Sequence, residues 1–522
     1  MSITREPPGT VVLETSADKI VLQPTPSSDP NQPLNWSRFR KHLNFFIVCF
    51  FTLIAFTASD VSSVMWGPWQ KELGWDFTQL NNTYAISVAG LGLGCPILIP
   101  FANKFGKRPV YLVASALVVA TSAWQSQMES IGEAYGSQFL QGLAVSVTET
   151  IIQMTVADLY FVHERGTFNG IYMFVVDIGN YIVLVPAGYC TVNLGWRWVY
   201  LIVAIIAAVQ FVMTLFLFEE TNYTPPAATI VAEDLSSEEE QELCDEESPK
   251  KQLDFEEPPQ VRTAELMDIP MNPLRKRLAL YTYEKGSFVE FCRKLLTPFL
   301  TLFTYPIVAF GALQYGCLLS FVSMVSTTTS NSFAAPPYNF SSAGIGNINI
   351  APCIGMIIGC LYGGWFNDKT ILWMSIRNNG VYEPEFRLYS LLFANFSMTI
   401  GMFLFGMSIA NNVTWIVPAI GFAIVAFGYG SSGAIIVTYL VDCYEMIVAD
   451  AFIGVIVIRN GLAMAILFCM SPWVSRVGLQ NVYIMGGCFT LIPLILTVPM
   501  IIWGKELRRR SESRYLKEST RG

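Results

Sequence analysis

Three carboxylates, Asp60, Glu149 and Asp177, stand inside long apolar runs of this 522-residue chain. A charged side chain at the centre of a bilayer costs on the order of 2.5 to 3.5 kcal/mol, so an acid kept there needs a compensating role. Desolvated carboxyls can take up and release protons near neutral pH, and the two histidines, His42 and His163, fall at the edges of such runs. The acids are therefore candidate carriers of protons or of cationic groups. The plainer alternative is that one or two are neutral acids bonded to neighbours. Glu149 lies four residues from Val145 and from Gln153, with Gln141 and Gln138 on the same side, which predicts a polar helical stripe facing a cavity. Asp177 shares its face with Phe174 and Tyr181 and is close to Asn180. In the second half Arg459 and Asn460 lie within one apolar run, and Asp442 and Glu445 close the run before it. Arg459 is a candidate partner for one of these acids, and Asp442 and Glu445 read as gating or cytoplasmic-network residues.

The elements that must position these groups are membrane helices. Only 14% of the chain is charged and 52% is hydrophobic, against about 25% charged in a soluble domain, so a water-exposed surface cannot be built from it. A helix rising 1.5 Å per residue needs roughly 20 apolar residues to cross about 30 Å of hydrocarbon. Twelve segments qualify: 43–66, 79–101, 110–127, 133–161, 168–189 and 197–218, then 300–327, 342–366, 387–409, 414–441, 450–472 and 481–504. Basic residues resist translocation. With a cytoplasmic N-terminus the inner flanks collect Arg38, Arg40, Lys41, Lys107, Arg108, Arg165, Lys369, Arg377, Arg387 and Arg508 among others, and the outer flanks hold only Lys71, Arg197 and Arg476. Both termini are therefore predicted to be cytoplasmic. Sequons at Asn81, Asn339 and Asn412 fall in or beside outer loops and are glycosylation candidates.

The predicted organisation is an all-α integral membrane protein: a cytoplasmic tail over 1–42, a six-helix bundle over 43–218, an acidic cytoplasmic linker over 219–299, a second six-helix bundle over 300–504, and a basic tail over 505–522. The net charge of -8 describes the linker, because sixteen of the forty Asp and Glu residues lie between Glu219 and Asp268. It gives no sign of a nucleic-acid partner. So acidic a stretch cannot bury a core and reads as a disordered tether. The eleven cysteines are mostly scattered singly, with no C-x-x-C pair and no His at ligand spacing. They read as reduced packing residues, neither a disulfide framework nor a metal site. No removable signal peptide is visible ahead of the first apolar run.

The loops carry the more specific patterns. Asn103-Lys104-Phe105-Gly106-Lys107-Arg108 stands between the second and third segments, and Gly364-Trp365-Phe366-Asn367-Asp368-Lys369 stands at the corresponding place in the second half. Asp29-Pro30-Asn31-Gln32-Pro33-Leu34-Asn35-Trp36 precedes the first segment, Asp158-Leu159-Tyr160-Phe161-Val162-His163-Glu164-Arg165-Gly166 follows the fourth, and Gly195-Trp196-Arg197-Trp198 precedes the sixth. With its layout of six helices, a linker and six more, the chain resembles the major facilitator superfamily, and within it looks like fungal members of the twelve-helix drug/proton antiporter branch. The first loop resembles the superfamily's G-x-x-x-D-R-x-G-R-R/K pattern, with Asn103 in place of the Asp and Ile99 in place of the first Gly. The branch's R-x-x-Q-G on helix 4 is here Gln138-x-x-Gln141-Gly142, without the Arg proposed to take part in proton relay. Its helix 5 pattern survives as Gly179, Pro186 and Gly188. The resemblance implies two pseudo-symmetric bundles around a cavity lined by helices 1, 4, 7 and 10. It adds Gln314, Tyr315, Tyr429 and Tyr439 as second-half contacts. It also makes Asn103, Gly106, Lys107, Arg108, Asp158, Arg165, Asp368 and Lys369 candidates for the gating loops.

The expected activity is secondary active transport of a small organic solute, in the first place proton-coupled efflux of a drug-like compound or secondary metabolite. A monomer in the plasma membrane is expected, with protons as coupling partner and no cofactor. One alternative is proton-coupled uptake of a cationic amine such as a polyamine, which the three first-half carboxylates would suit. Another is a nutrient sensor that keeps the fold and uses the linker as a signalling arm. Against an enzyme, the chain has no G-x-S-x-G, GK[ST] or H-E-x-x-H pattern, and Gly344-Ile345-Gly346 lacks the third glycine of a nucleotide loop.

Overall fold

In the computed structural model the described residues are 11–12, 29–223, 271–273, 277–279, 297–378, 380–444 and 447–519. The first bundle contains α1 (Arg38–Asp60), α2 (Phe77–Phe105), α3 (Lys107–Gln125) and α4 (Ile131–Leu159). Then follow α5, made of Val162–Asp177, a π turn Ile178–Ile182 and Leu184–Leu194, and α6 (Trp196–Leu217). The second contains α7 (Pro306–Ser332), α8 (Ser342–Arg377, with a π turn at Tyr362–Phe366), α9 (Arg387–Ala410), α10 (Ile416–Cys443) and α11 (Val448–Val477). Its last helix, α12, consists of Leu479–Phe489 and Leu491–Ser519. Eleven helices among the described residues are long and apolar enough to cross a membrane. The remaining one, α3, has polar ends, from Lys107 and Arg108 to Gln125, and packs on α4 and α6.

Local chemistry sets the helix ends. Asp76 accepts from the Gln79 N–H at 2.7 Å while Gln79 Oε1 accepts from the Asp76 N–H at 3.0 Å, a reciprocal cap that starts α2. Ser130 and Glu133 start α4 in the same way. The apolar run that begins at 300 breaks at Tyr305 (φ -111°, ψ 105°), because Pro306 bars the residue before it from helical backbone. Gly195 (φ 90°) between α5 and α6 and Gly478 (φ 81°) between α11 and α12 make the same single-residue reversal in each half. Packing repeats too. A Cβ on Gly142 of α4 would lie 1.9 Å from the Ser87 carbonyl oxygen of α2, and one on Gly355 of α8 would lie 2.0 Å from the Ala423 oxygen of α10. Both pairs of helices meet backbone to backbone, which only small residues permit.

The bundles meet along α2 with α11 and α5 with α8. At the face away from the termini, the Thr78 and Ser471 hydroxyls are 2.6 Å apart, Asn81 Nδ2 donates to the Leu467 carbonyl, and Gln70 Nε2 donates to Asn331 Oδ1 at 3.2 Å. The α5–α8 seam is closer still, since a Cβ on Gly188 would lie 2.4 Å from the Ser342 oxygen. Asn81 is thus fully buried within α2, which leaves no space for the glycan expected there in this conformation. Asn339 and Asn412 are exposed.

At the terminal face the D-P-N-Q-P-L-N-W motif forms a collar. Asp29 accepts from the Asn31 backbone at 2.7 Å and from the Tyr223 hydroxyl at 2.8 Å, and the Arg40 guanidinium sits 3.6 Å from the centre of the Trp36 ring. Glu219 is hydrogen-bonded by Arg40 and, at 2.7 Å each, by Nε and Nη2 of Arg277. Glu220 accepts from the backbone N–H of Lys107 and Arg108 at 3.0 Å each, where the start of α3 favours an anion. Arg108 in turn donates to the carbonyls of Leu278 and Ala279. Glu219 and Glu220, which the boundary at 219 gives to the linker, therefore belong to the cap of the first bundle. Residues 224–270, the core of the expected tether, lie outside the described residues. The boundary at 505 shifts as well: α12 runs on to Ser519, and Arg508 is fully buried with its Nε 2.9 Å and Nη2 2.6 Å from the carboxylate of Glu385.

Burial works against the Glu219 anion, but the hydrogen bonds and charges of Arg277 and Arg40 outweigh it, so its pKa lies below the usual 4.5. A depressed carboxyl pKa gives stability that is present above the unfolded value and is lost as pH falls through the folded one. Glu219→Gln is expected to cost about 3 kcal/mol, because two arginines lose their shared anion. It should also remove this group's share of the stability loss on the acid side of pH 4.5. Thermal unfolding in detergent across that range measures both effects. Orientation has a separate check. Cysteines placed at 336–339 are expected to react with an impermeant reagent in intact cells and those at 369–377 are not; labelling of the second set would invert the topology.

Candidate functional site

Between the bundles lies a cavity of about 180 Å³, lined from α1, α2, α4, α5, α7, α8, α10 and α11, and all three apolar-run acids reach it. Asp60 is the last residue of α1, next to Ser59, whose hydroxyl is 3.3 Å from that of Ser87. Asp177 is the last residue before the π turn of α5. That turn brings Asn180 and Tyr181 into the cavity with it, while Phe174, expected on the same face, is 49% exposed on the bundle surface. Among the described residues neither Asp60 nor Asp177 has a basic partner, and both are held among uncharged neighbours such as Tyr181.

Glu149 is different. Arg459 Nη2 of α11 donates to Glu149 Oε2 of α4, joining the two bundles across the cavity. The same guanidinium is 5.0 Å from the centre of the Tyr315 ring, and Tyr315 stacks on Tyr429 with centroids 5.6 Å apart. Glu149 is thus the acid that Arg459 pairs with. Of the acids that Arg459 could have chosen, Asp442 instead bonds Arg387 Nε at 2.5 Å, and Glu445 lies outside the described residues. Three carboxylates against one guanidinium leave the cavity with a formal charge of -2 when all are ionised.

Gln153, Tyr181, Tyr315 and Tyr429 line the cavity as expected, and Gln314 and Tyr439 do not. Gln314 is 1% exposed, with its amide buried between helices. Tyr439 is ten residues from Tyr429, about 15 Å along α10, beside Cys443 and near Glu385 and Arg508. The polar stripe on α4 also ends early. Two four-residue steps drift about 80° around a helix, which turns Gln141 toward α3, where it accepts from Thr121. Residues the sequence reading missed are Tyr84, which bonds Ser323 of α7, and Asn349, at the junction within α8. One tyrosine among 22 carries no spacing signal, whereas Asn349, with Asn347 two residues before it, is a visible polar interruption of an apolar run.

The gating-loop candidates clip elements within each bundle. Lys107 pairs with Asp158, and Gly106 (φ 95°) lets the chain reverse between α2 and α3, with half-buried Asn103 just before it. Arg108 donates to the Leu215 carbonyl at 2.6 Å, and Arg165 to those of Ala157 at 2.8 Å and Tyr160 at 3.0 Å. In the second half Arg387 bonds Asp368 at 2.9 Å as well as Asp442, which also accepts from the Tyr382 hydroxyl. Lys369 departs from the gating expectation: its Nζ lies 4.1 Å from the centre of the exposed Trp365 ring, away from that network.

The description "Major Facilitator Superfamily" belongs to the family model that matches residues 46–467. An uncharacterized MFS-type transporter of Schizosaccharomyces pombe is 31% identical, covering 97% of this chain and 90% of its own. Protein HOL1 of Saccharomyces cerevisiae is 27% identical over 97% and 93% of the two chains. Among solved structures, a D-xylose-proton symporter superposes with a TM-score of 0.58 at 14% identity, covering 87% of this chain and 97% of its own. A peptide transporter in complex with sulfate superposes with a TM-score of 0.59 at 12% identity, covering 89% and 95%. These likenesses carry the fold alone, yet the fold, the family match and the near full-length relative agree: the chain is a multi-pass membrane transporter of small solutes and belongs to the Major Facilitator Superfamily.

Proposed function

We propose that the chain is a proton-coupled transporter of a small organic cation, of the amine class, in the plasma membrane. The observation that carries this reading is the pair of acids, Asp60 and Asp177, that face the cavity without a basic partner while the cavity's arginine is engaged by Glu149. A buried anion is stable only when paired or protonated, so each acid calls for a proton or a cation from outside the protein. An ammonium donating to these carboxylates would also meet the ring faces of Tyr84, Tyr181, Tyr315 or Tyr429, which attract cations. At about 180 Å³ the cavity is below the roughly 300 to 1,000 Å³ of drug-sized sites, which favours a compact solute.

Efflux of a compact cationic drug or secondary metabolite is the second reading, favoured by the apolar wall of Phe56, Leu319 and Met356. Proteoliposomes given pH gradients of either sign and a panel of labelled amines and size-matched neutral compounds separate the two. Accumulation toward the alkaline side marks cotransport with protons, and accumulation toward the acidic side marks exchange. Equal transport of the neutral compounds would sink the cation assignment, and no flux of any compound under either gradient would point to a sensor.

A further inference from the structure

We propose that the terminal end of α8 is a binding surface for the headgroups of acidic phospholipids, independent of the transported solute. α8 has 36 residues, about 54 Å at 1.5 Å per residue, against roughly 40 to 45 Å for a bilayer with its headgroups. Its last turns therefore stand at or beyond headgroup depth. The exposed stripe of Ile354, Ile358 and Leu361, which acyl chains cover, continues past the π turn through Trp365, Leu372, Trp373 and Ile376, which are 63%, 54%, 53% and 69% exposed. Isolated apolar side chains on a surface need no explanation, but a continuous row marks a contact.

Two cations lie on this row. Lys369 Nζ is 4.1 Å from the centre of the Trp365 ring, and the Arg377 guanidinium is 3.8 Å from that of Trp373. Among the described residues neither forms an ion pair. The neighbouring acid, Asp368, is held by Arg387 instead. The row is thus apolar and doubly positive, with its nearest carboxylate already engaged. Tryptophan rings settle at headgroup depth and basic side chains extend along apolar surface to reach it. A zwitterionic lipid would cover the rings without neutralising the cations, whereas an acidic phospholipid supplies both acyl chains and the missing negative charge. Continuity with the lipid-covered stripe above makes a lipid the fitting occupant, in preference to a second copy of the chain.

Tryptophan fluorescence of the purified full chain, in phosphatidylcholine vesicles containing a fixed fraction of brominated phosphatidylserine or brominated phosphatidylcholine, tests this. The brominated serine lipid is expected to quench more, by up to two parts in the twelve that the tryptophans represent. Lys369→Gln with Arg377→Gln should bring the two lipids level, and Trp365→Phe with Trp373→Phe should remove the excess. Monodispersity in detergent checks that each variant is folded. Equal quenching of the unmodified chain, or an excess that survives the glutamine pair, overturns the proposal. Weak quenching by both lipids together with a dimer mass by light scattering would assign the row to a second copy and overturn it as well.

Discussion

Glu149→Gln is expected to lower transport about tenfold or more, roughly 1.4 kcal/mol or more of barrier, and to abolish its response to a pH gradient. Glutamine keeps the shape and can still accept from Arg459, but it cannot take up a proton and let the guanidinium go. The pair joins α4 of one bundle to α11 of the other with side chains only 13% and 7% exposed, so it must open and re-form if the bundles rock about the cavity. Removing one partner of a buried pair also strands the other, at about 3 to 5 kcal/mol, and reduced folding could imitate reduced transport. The double variant Glu149→Gln, Arg459→Gln answers this. It removes both charges, so its yield and thermal stability should recover while the pH response stays absent. Normal transport with an unchanged pH profile in the single variant would make the pair structural and end its candidacy as the coupling device.

Asp60→Asn and Asp177→Asn are each expected to weaken apparent affinity for an ammonium substrate by about tenfold or more, with a much smaller effect on a neutral compound of equal size. A charge-assisted hydrogen bond is roughly twice as strong as a neutral one, and both acids lack a basic partner among the described residues. Both line the same cavity and would hold the same ammonium. Their effects should therefore not add in the double variant. Concentration dependence of uptake in proteoliposomes, measured with matched charged and neutral compounds, checks this. Equal loss for both compounds would mean that the aspartates support the helices and do not hold the cation.

Much of this arrangement is legible in the sequence because hydrophobic length and charge placement are one-dimensional properties. Eleven of the apolar runs return as helices long and apolar enough to cross a membrane, and Asp60, Glu149, Asp177, Tyr315 and Tyr429 line one cavity. What the sequence withholds depends on rotation and on distant partners. Gln314 and Tyr315 are neighbours, but about 100° of helical turn separates a packed amide from a cavity ring. The phase of α8 changes through the π turn at Tyr362–Phe366, and Asp368 and Lys369, adjacent in a gating pattern, end on different sides. Arg459 and Glu149 are 310 residues apart, and nothing local prefers Glu149 over Asp442. Composition likewise cannot separate Glu219 and Glu220, which cap a helix bundle, from the acids that follow them.

The attachment of Arg277 to Glu219, and of Leu278 and Ala279 to Arg108, alters the mechanics of the joint between the halves. Tyr223 and Arg277 to Ala279 are both held on the first bundle, so an insertion between them lengthens a loop whose two ends that bundle already closes. Lengthening a closed loop adds only closure entropy, about 0.6 kcal/mol for each doubling. A reporter domain inserted there would hang from one bundle without loosening the other. The second bundle takes up the chain at Pro298, whose carbonyl oxygen lies against Gly454 of α11, so 280 to 296 is the span that joins one bundle to the other. An insertion in that short span would dilute one bundle with respect to the other, because effective concentration falls as a tether lengthens.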